Sequence, residues 1–151
     1  MNYVEHPHQL DWSMFTIAPQ PELQQQLQLQ QQPLHKRMAI EFLKNYYAVY
    51  DNNFYYLANI YCNNPMIIFL HDAVNNFQEL YSKIVLKYGI SKFNHHNIVF
   101  ETQPIGDNLL IEITGELTIN DAHHLKFVET LVFVKLGAMY YVSNSIKRII
   151  I

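Results

Sequence analysis

The stretch from Asn108 to Ile150 limits what this chain can fold into more than any other. Apolar residues fall on odd positions at Leu109, Ile111, Ile113, Leu117 and Ile119, with Glu112, Thr114, Glu116 and Thr118 between them. A period of two is the mark of a strand with one buried face. Asn120-Asp121 is a turn pair, and Leu125, Phe127, Leu131 and Phe133 resume the odd phase. Gly137 marks a second turn, and Met139 to Ile150 is rich in β-branched and aromatic residues. Three strands on two tight turns form an antiparallel meander, whose apolar face needs a cover.

The preceding residues supply it. Pro33 leads into a helix expected over Leu34 to about Tyr50, with Ala39, Phe42, Leu43, Tyr46, Val49 and Tyr50 on one face. Asp51-Asn52-Asn53 is read as its stop, with a short second helix over Phe54 to Cys62 ended by Asn63-Asn64-Pro65. Met66 to Leu70 reads as a strand and residues 71–76 as a loop. Phe77 to Tyr88 reads as a third helix stopped by Gly89, and Phe93 to Thr102 as a strand closed by Gln103-Pro104. Helices before a largely antiparallel sheet give an α+β domain over residues 34–151. Residues 1–33 differ. They hold four of the six prolines and the run QQQLQLQQQ, a composition expected of a flexible tail. Leu10, Trp12, Met14, Phe15 and Ile17 form a small apolar cluster within it, suited to packing on a partner or on the domain itself.

Charge and cysteine content narrow the function. A net charge of −3 argues against a nucleic-acid surface, which needs a basic excess. The single cysteine, Cys62, allows no intramolecular disulfide and fits a reducing compartment. No apolar run is long enough to span a membrane, and no secretory signal is visible at the N-terminus. The tyrosines lie in the helical core pattern rather than among lysines and arginines, so direct RNA stacking is not expected.

Three motifs carry a family resemblance. FLKNYYAVYDNNFYYLANIY (residues 42–61), NIVFETQPIGDNLLIEITGEL (97–117) and FVETLVFV followed by YYVSNSIKRI occur in this order. Together they resemble the nuclear transport factor 2-like domains. The resemblance implies a cone: a curved antiparallel sheet wrapped on three N-terminal-side helices. It also implies homo- or heterodimers with a partner of the same fold, formed through the outer sheet face. Here that face is expected to carry Glu112, Thr114, Glu116, Lys126, Val128, Thr130, Val132, Tyr140 and Val142. A slot for Phe-Gly-type peptides, of nucleoporins or similar proteins, is carried over to Met38, Phe42, Ile60 and Leu131. Asn144-Ser145 and Lys147 stand where the family usually has Asp and Phe, and Leu131 replaces a usual Phe. Glu101 and Asp72 are the loose matches to the acidic residues that the transport factor presents to the GTPase Ran.

Catalysis would need a constellation in the conical interior. Tyr46, Tyr50, Asp51, Asp72 and His95 are the candidates, since burial shifts such groups toward useful pKa values. His95-His96 and His123-His124 are adjacent on strands, so each pair splits between two faces and cannot act together. His6 and His8 lack further ligands for a metal. With no phosphate loop among four glycines, no metal, cofactor or catalytic set is assigned. The expected function is a non-enzymatic, dimerising transport adaptor shared between nucleus and cytoplasm, in mRNA export ahead of Ran import. The alternatives are a ribonucleoprotein, stress-granule or deubiquitinase-cofactor scaffold, and a small-molecule enzyme of the isomerase or dehydratase kind.

Overall fold

The computed structural model describes residues 3–5 and 33–150. The Gln-rich run, the Leu10–Ile17 cluster, His6 and His8 lie outside the described residues. Strand β1 (Tyr3–Glu5) is followed by helix α1 (Leu34–Asn53) and a 3-10 segment (Phe54–Asn59). Then come β2 (Tyr61–Phe69), β3 (Asp72–Val74), α2 (Phe77–Ser82) and a wide turn (Lys83–Lys87). The meander strands close the chain: β4 (Phe93–Ile105), β5 (Asn108–Ile119), β6 (His123–Leu136) and β7 (Met139–Ile150). They form one sheet in the order β1-β4-β5-β6-β7-β2-β3. Neighbours from β4 to β7 are antiparallel, whereas β2 runs parallel to β7 and β1 parallel to β4.

α1 buries Ala39, Leu43, Tyr46, Tyr47 and Tyr50, spaced by three and four residues, against the concave sheet face. It packs chiefly on β4 and on the 3-10 segment that follows. Leu43 removed from water contributes about 1.5–3 kcal/mol and Ala39 less, and the ring-on-ring contacts of Tyr46, Tyr47 and Tyr50 add to that.

Several boundaries differ from the sequence reading. Asp51-Asn52-Asn53 does not stop α1; these residues make its last turn, and the Asn53 carboxamide instead caps the 3-10 segment by accepting from Tyr55 N at 3.1 Å. Tyr61 and Cys62 belong to β2, not to a second helix. Asn64, with φ +56°, marks the register shift between Tyr61 and Met66 that lets Asn-Pro lie within a strand. Gln103-Pro104 continues β4 up to its turn.

Two further bulges decide which residues face inward. In β4 the register shifts between His96 and Val99, with Asn97 at φ +52°, so His95 and Ile98 are both buried. In β7 it shifts opposite Val132 and Phe133: Val142 pairs with Phe133 and Asn144 with Val132, leaving Ser143 extra. Ser143 Oγ sits 3.2 Å from the Val132 carbonyl and 2.8 Å from Asn144 Oδ1, which occupies the local polar groups of the bulge. An added residue inverts the inside–outside phase. Val142 is therefore in the core and Tyr140 packs its ring on Phe133 at 5.2 Å, both on the face opposite to the one expected. Beyond the bulge, Ser145 and Lys147 turn inward, and Asn144, Ile146 and Arg148 take the outer positions.

Candidate functional site: a sealed interior, a groove and an outer face

The bulged strands bring a polar chain into the cone. Glu129 occupies an odd, inward position of β6 directly opposite Lys147 of β7. Each is 2% exposed. Tyr46 and Tyr47 donate their hydroxyls to the two Glu129 carboxylate oxygens at 2.7 Å each. Lys147 Nζ donates to Glu129 Oε1 at 3.3 Å and to His95 Nε2 at 2.5 Å. Because that ring nitrogen accepts, His95 carries its proton on Nδ1 and donates it to Asp51 Oδ1 at 2.5 Å. Asp51 Oδ2 accepts from the His95 backbone N–H at 3.0 Å. The Lys147 ammonium lies 4.0 Å from the centre of the Tyr50 ring and 4.9 Å from that of Phe127.

Burial sets the protonation tendencies. It pushes His95 well below its ordinary pKa, reinforced by the Lys147 charge, so the imidazole is neutral. It lowers Lys147 as well, opposed by Glu129. It raises Asp51 to about 6, against the pull of the His95 N–H and Lys147. Tyr46 and Tyr50 are raised by burial and by the Glu129 charge, and Tyr61 is pushed up to about 12 for the same reasons.

Of the five catalytic candidates, Tyr46, Tyr50, Asp51 and His95 do converge. Asp72 lies apart, accepting from Lys87 Nζ at 2.7 Å and from Tyr88 Oη at 2.5 Å. Sequence reasoning missed Glu129 and Lys147, the two charges at the centre. Glu129 was signalled by its odd position among Leu125, Phe127, Leu131 and Phe133, and Lys147 by its odd position in the next strand, opposite to the even residues read as outward. Both ring nitrogens of His95 are engaged, so it has no lone pair for a metal ion. The adjacent His96 points outward, as strand alternation requires.

Two surface features accompany this interior. A groove of about 570 Å³ runs along α1, and Met38, Phe42 and Ile60 line it together. Leu131 does not take part: it is fully buried beneath the sheet. Phe133, the next inward residue of β6, lines the groove instead and stacks on Phe42 at 4.6 Å between ring centres. Met139, 60% exposed, and Tyr140 form the opposite wall.

The outer sheet face presents Glu112, Thr114 and Glu116 of β5 opposite Thr130, Val128 and Lys126 of β6. Val132 and the post-bulge residues of β7 continue it, with Ile146 41% exposed, and Met66 of β2, paired with Asn144, is 69% exposed. An apolar centre with charged margins is the composition of a subunit interface.

Comparison with known proteins identifies the fold family. The nuclear transport factor 2 (NTF2) domain model matches residues 38–149. The chain belongs to the NTF2 domain family. Nuclear transport factor 2 of Saccharomyces cerevisiae is 28% identical over 115 residues, 74% of this chain and 91% of that protein. The Emericella nidulans protein of that name is 26% identical over 117 residues, 75% and 93% respectively. Among solved structures, nuclear transport factor 2 from Cryptosporidium parvum matches with a TM-score of 0.63 at 19% identity, over 78% of this chain and 96% of that one. The yeast UBP3-associated protein Bre5 matches with 0.63 at 21% identity, over 79% and 98%. A Novosphingobium aromaticivorans protein assigned as a scytalone dehydratase gives 0.61 at 13% identity, over 78% and 85%. These structural likenesses show the NTF2-like cone, which hosts both transport factors and proteins assigned as enzymes. Among the described residues, no helix is long and apolar enough to cross a membrane.

Proposed function

We propose that the protein is a non-enzymatic, dimerising adaptor of nucleocytoplasmic transport, working in mRNA export rather than Ran import. The carrying observation is how the polar groups are used. Inside the cone, buried Glu129, Lys147 and His95 and the partly buried Asp51 are linked in a chain of hydrogen bonds that Tyr46 and Tyr47 join, so these groups already have partners within the domain. The surfaces left for function are a groove and a sheet face, both suited to binding. Relatives matched over most of their length are named nuclear transport factor 2, which supports the transport reading.

The preference for export rests on Asp72 and Glu101. Asp72 is held by Lys87 and Tyr88, and Glu101 faces Lys36 at 3.7 Å. A lysine already facing a carboxylate offsets its charge, which weakens its pull on the cation of a second protein. The groove lined by Met38, Phe42, Ile60 and Phe133 is the proposed Phe-Gly peptide site, and the outer face from Glu112 to Ile146 the proposed contact with a partner of the same fold. Depletion of the protein in its own cells tests the reading. Nuclear accumulation of polyadenylated RNA with normal nuclear Ran is expected. Loss of nuclear Ran with normal RNA export would replace export by Ran import, and neither defect would remove the protein from transport.

A further inference from the structure

The apolar cluster Leu10, Trp12, Met14, Phe15 and Ile17 lies outside the described residues, between β1 and α1. Both junctions of residues 6–32 with the described structure lie at one end of the sheet. β1 runs parallel to β4 with Glu5 opposite Phe100, so the chain leaving Glu5 heads toward Ile105. Register carries that end across the sheet: Ile105 pairs with Asn108, Leu109 with Phe133, and Leu136 with Met139 at the last turn. At the other junction Pro33 leads into Leu34, and Lys36 reaches the β4 residue Glu101 at 3.7 Å. Leu34, Phe133 and Met139 all line the groove on α1. The segment therefore ends beside that groove and begins on the edge strand, heading toward the same end of the sheet.

We propose that the groove is occupied in the free protein by the chain's own Trp12–Ile17 stretch, which outside phenylalanine peptides must displace. The displacement rests on the peptide site proposed above; the occupancy does not. About sixteen residues separate Ile17 from Leu34, and a random coil of that length spans roughly 20–25 Å, enough to reach back to a groove that starts at Leu34. Such a tether holds the segment at an effective concentration of about 1 mM, so even a near-millimolar intrinsic affinity keeps the groove about half filled or more. The chemistry matches. The Phe42–Phe133 stack offers an aromatic floor to Trp12 or Phe15, and the methionine walls, Met38 and Met139, adapt to irregular apolar shapes.

Trp12 is the single tryptophan of the chain, so its fluorescence reports on this segment alone. In the full chain its emission should be blue-shifted, and less quenched by acrylamide, than in a synthetic peptide of residues 6–20. Met139→Glu, which charges the exposed wall, should raise quenching toward the peptide's value, with far-UV circular dichroism unchanged. Phe15→Ser should weaken protection in the same way without touching the domain. In the full chain, Phe15→Ser should also tighten a Phe-Gly repeat peptide by about twofold to tenfold, the factor a tethered competitor removes. Protection that Met139→Glu abolishes supports the occupancy even if no Phe-Gly peptide binds, an outcome that removes the peptide site alone. Trp12 quenched like the free peptide, or protection indifferent to Met139→Glu, overturns the occupancy and leaves the peptide site standing. Protection that vanishes on dilution would assign the occupant to a second copy and overturn the intramolecular contact.

Discussion

The inside of the cone and its outer face are built from the same kinds of residue and put them to opposite use. Glu129 and Lys147 face each other across β6 and β7 on the concave side. Glu116 and Lys126 face each other across β5 and β6 on the convex side. The inner pair is dehydrated, and each member needs the other together with two tyrosine hydroxyls and an imidazole. The outer two are register partners at the surface; Glu116 accepts from the Asn97 carboxamide and lies 3.5 Å from His96 Nε2, and exposed ionic contacts of this kind contribute about 1 kcal/mol or less. Charge inside the cone therefore fixes the geometry of the domain, whereas charge outside stays within reach of solvent and of a partner.

That contrast is broken most strongly at Glu129. Glu129→Ala strands a buried ammonium and two hydroxyls, and a loss of about 3–5 kcal/mol is expected in denaturant unfolding. Glu129→Leu combined with Lys147→Met should lose less than either single change, because no unpaired charge remains. A loss below about 1 kcal/mol for Glu129→Ala would show that the interior admits water. On the outer face, Glu116→Ala and Lys126→Ala should each cost within about 0.5 kcal/mol.

Gly115 is the next most sensitive position. A Cβ there would meet the Phe127 ring at 2.9 Å and the His96 carbonyl at 3.2 Å. Gly115→Ala is expected to cost about 1–3 kcal/mol, because the backbone side of that contact cannot retreat as a side chain does. Thermal unfolding reads it, and an unchanged midpoint would mean the ring simply swings aside.

The interior also predicts a sign for pH dependence. His95 has its pKa lowered on folding, so below the ordinary value near 6.5 the unfolded chain binds a proton that the folded one refuses. Stability from His95 is therefore lost as pH falls, by at most about 1.4 kcal/mol per pH unit. Asp51 has its pKa raised from 3.8 to about 6, so in that window the folded chain binds the extra proton, and its contribution grows as pH falls. The two oppose each other between about pH 4 and 6. His95→Gln should leave stability rising on acidification across that range, and Asp51→Asn should leave it falling. Equal slopes in both variants would contradict the hydrogen-bonded chain.

The outer face carries the smallest effect on folding and the largest on assembly. Ile146→Glu should leave unfolding within about 0.5 kcal/mol of the parent, since the side chain is partly exposed. Light scattering should fall from at least twice the 17.9 kDa chain mass to a single copy. A parent that is monomeric at tens of micromolar, roughly the range of a weak interface, would remove this face as a dimer contact.

The meander, the first helix and the family were legible in the sequence because each rests on local periodicity. From Leu109 to Ile119 the apolar residues keep to odd positions apart from Leu110, and the α1 face from Ala39 to Tyr50 repeats at helical spacing, so neighbouring residues alone fix which way they point. The NTF2 motifs are legible for the same reason, as contiguous strings. What only the tertiary structure decided lies beyond the bulges at Asn97 and Ser143. Each inserts one residue and inverts the phase, and the second sends Val142 inward, onto the face that carries Lys147, and removes Tyr140 from the outer face. A bulge is set by how one strand registers against its neighbour. The pairing of Lys147 with Glu129 and His95, and the exchange of Leu131 for Phe133 in the groove, therefore depend on residues far apart in the chain. No local pattern encodes them, because the side chains that stabilise them meet only when the sheet has curved around α1.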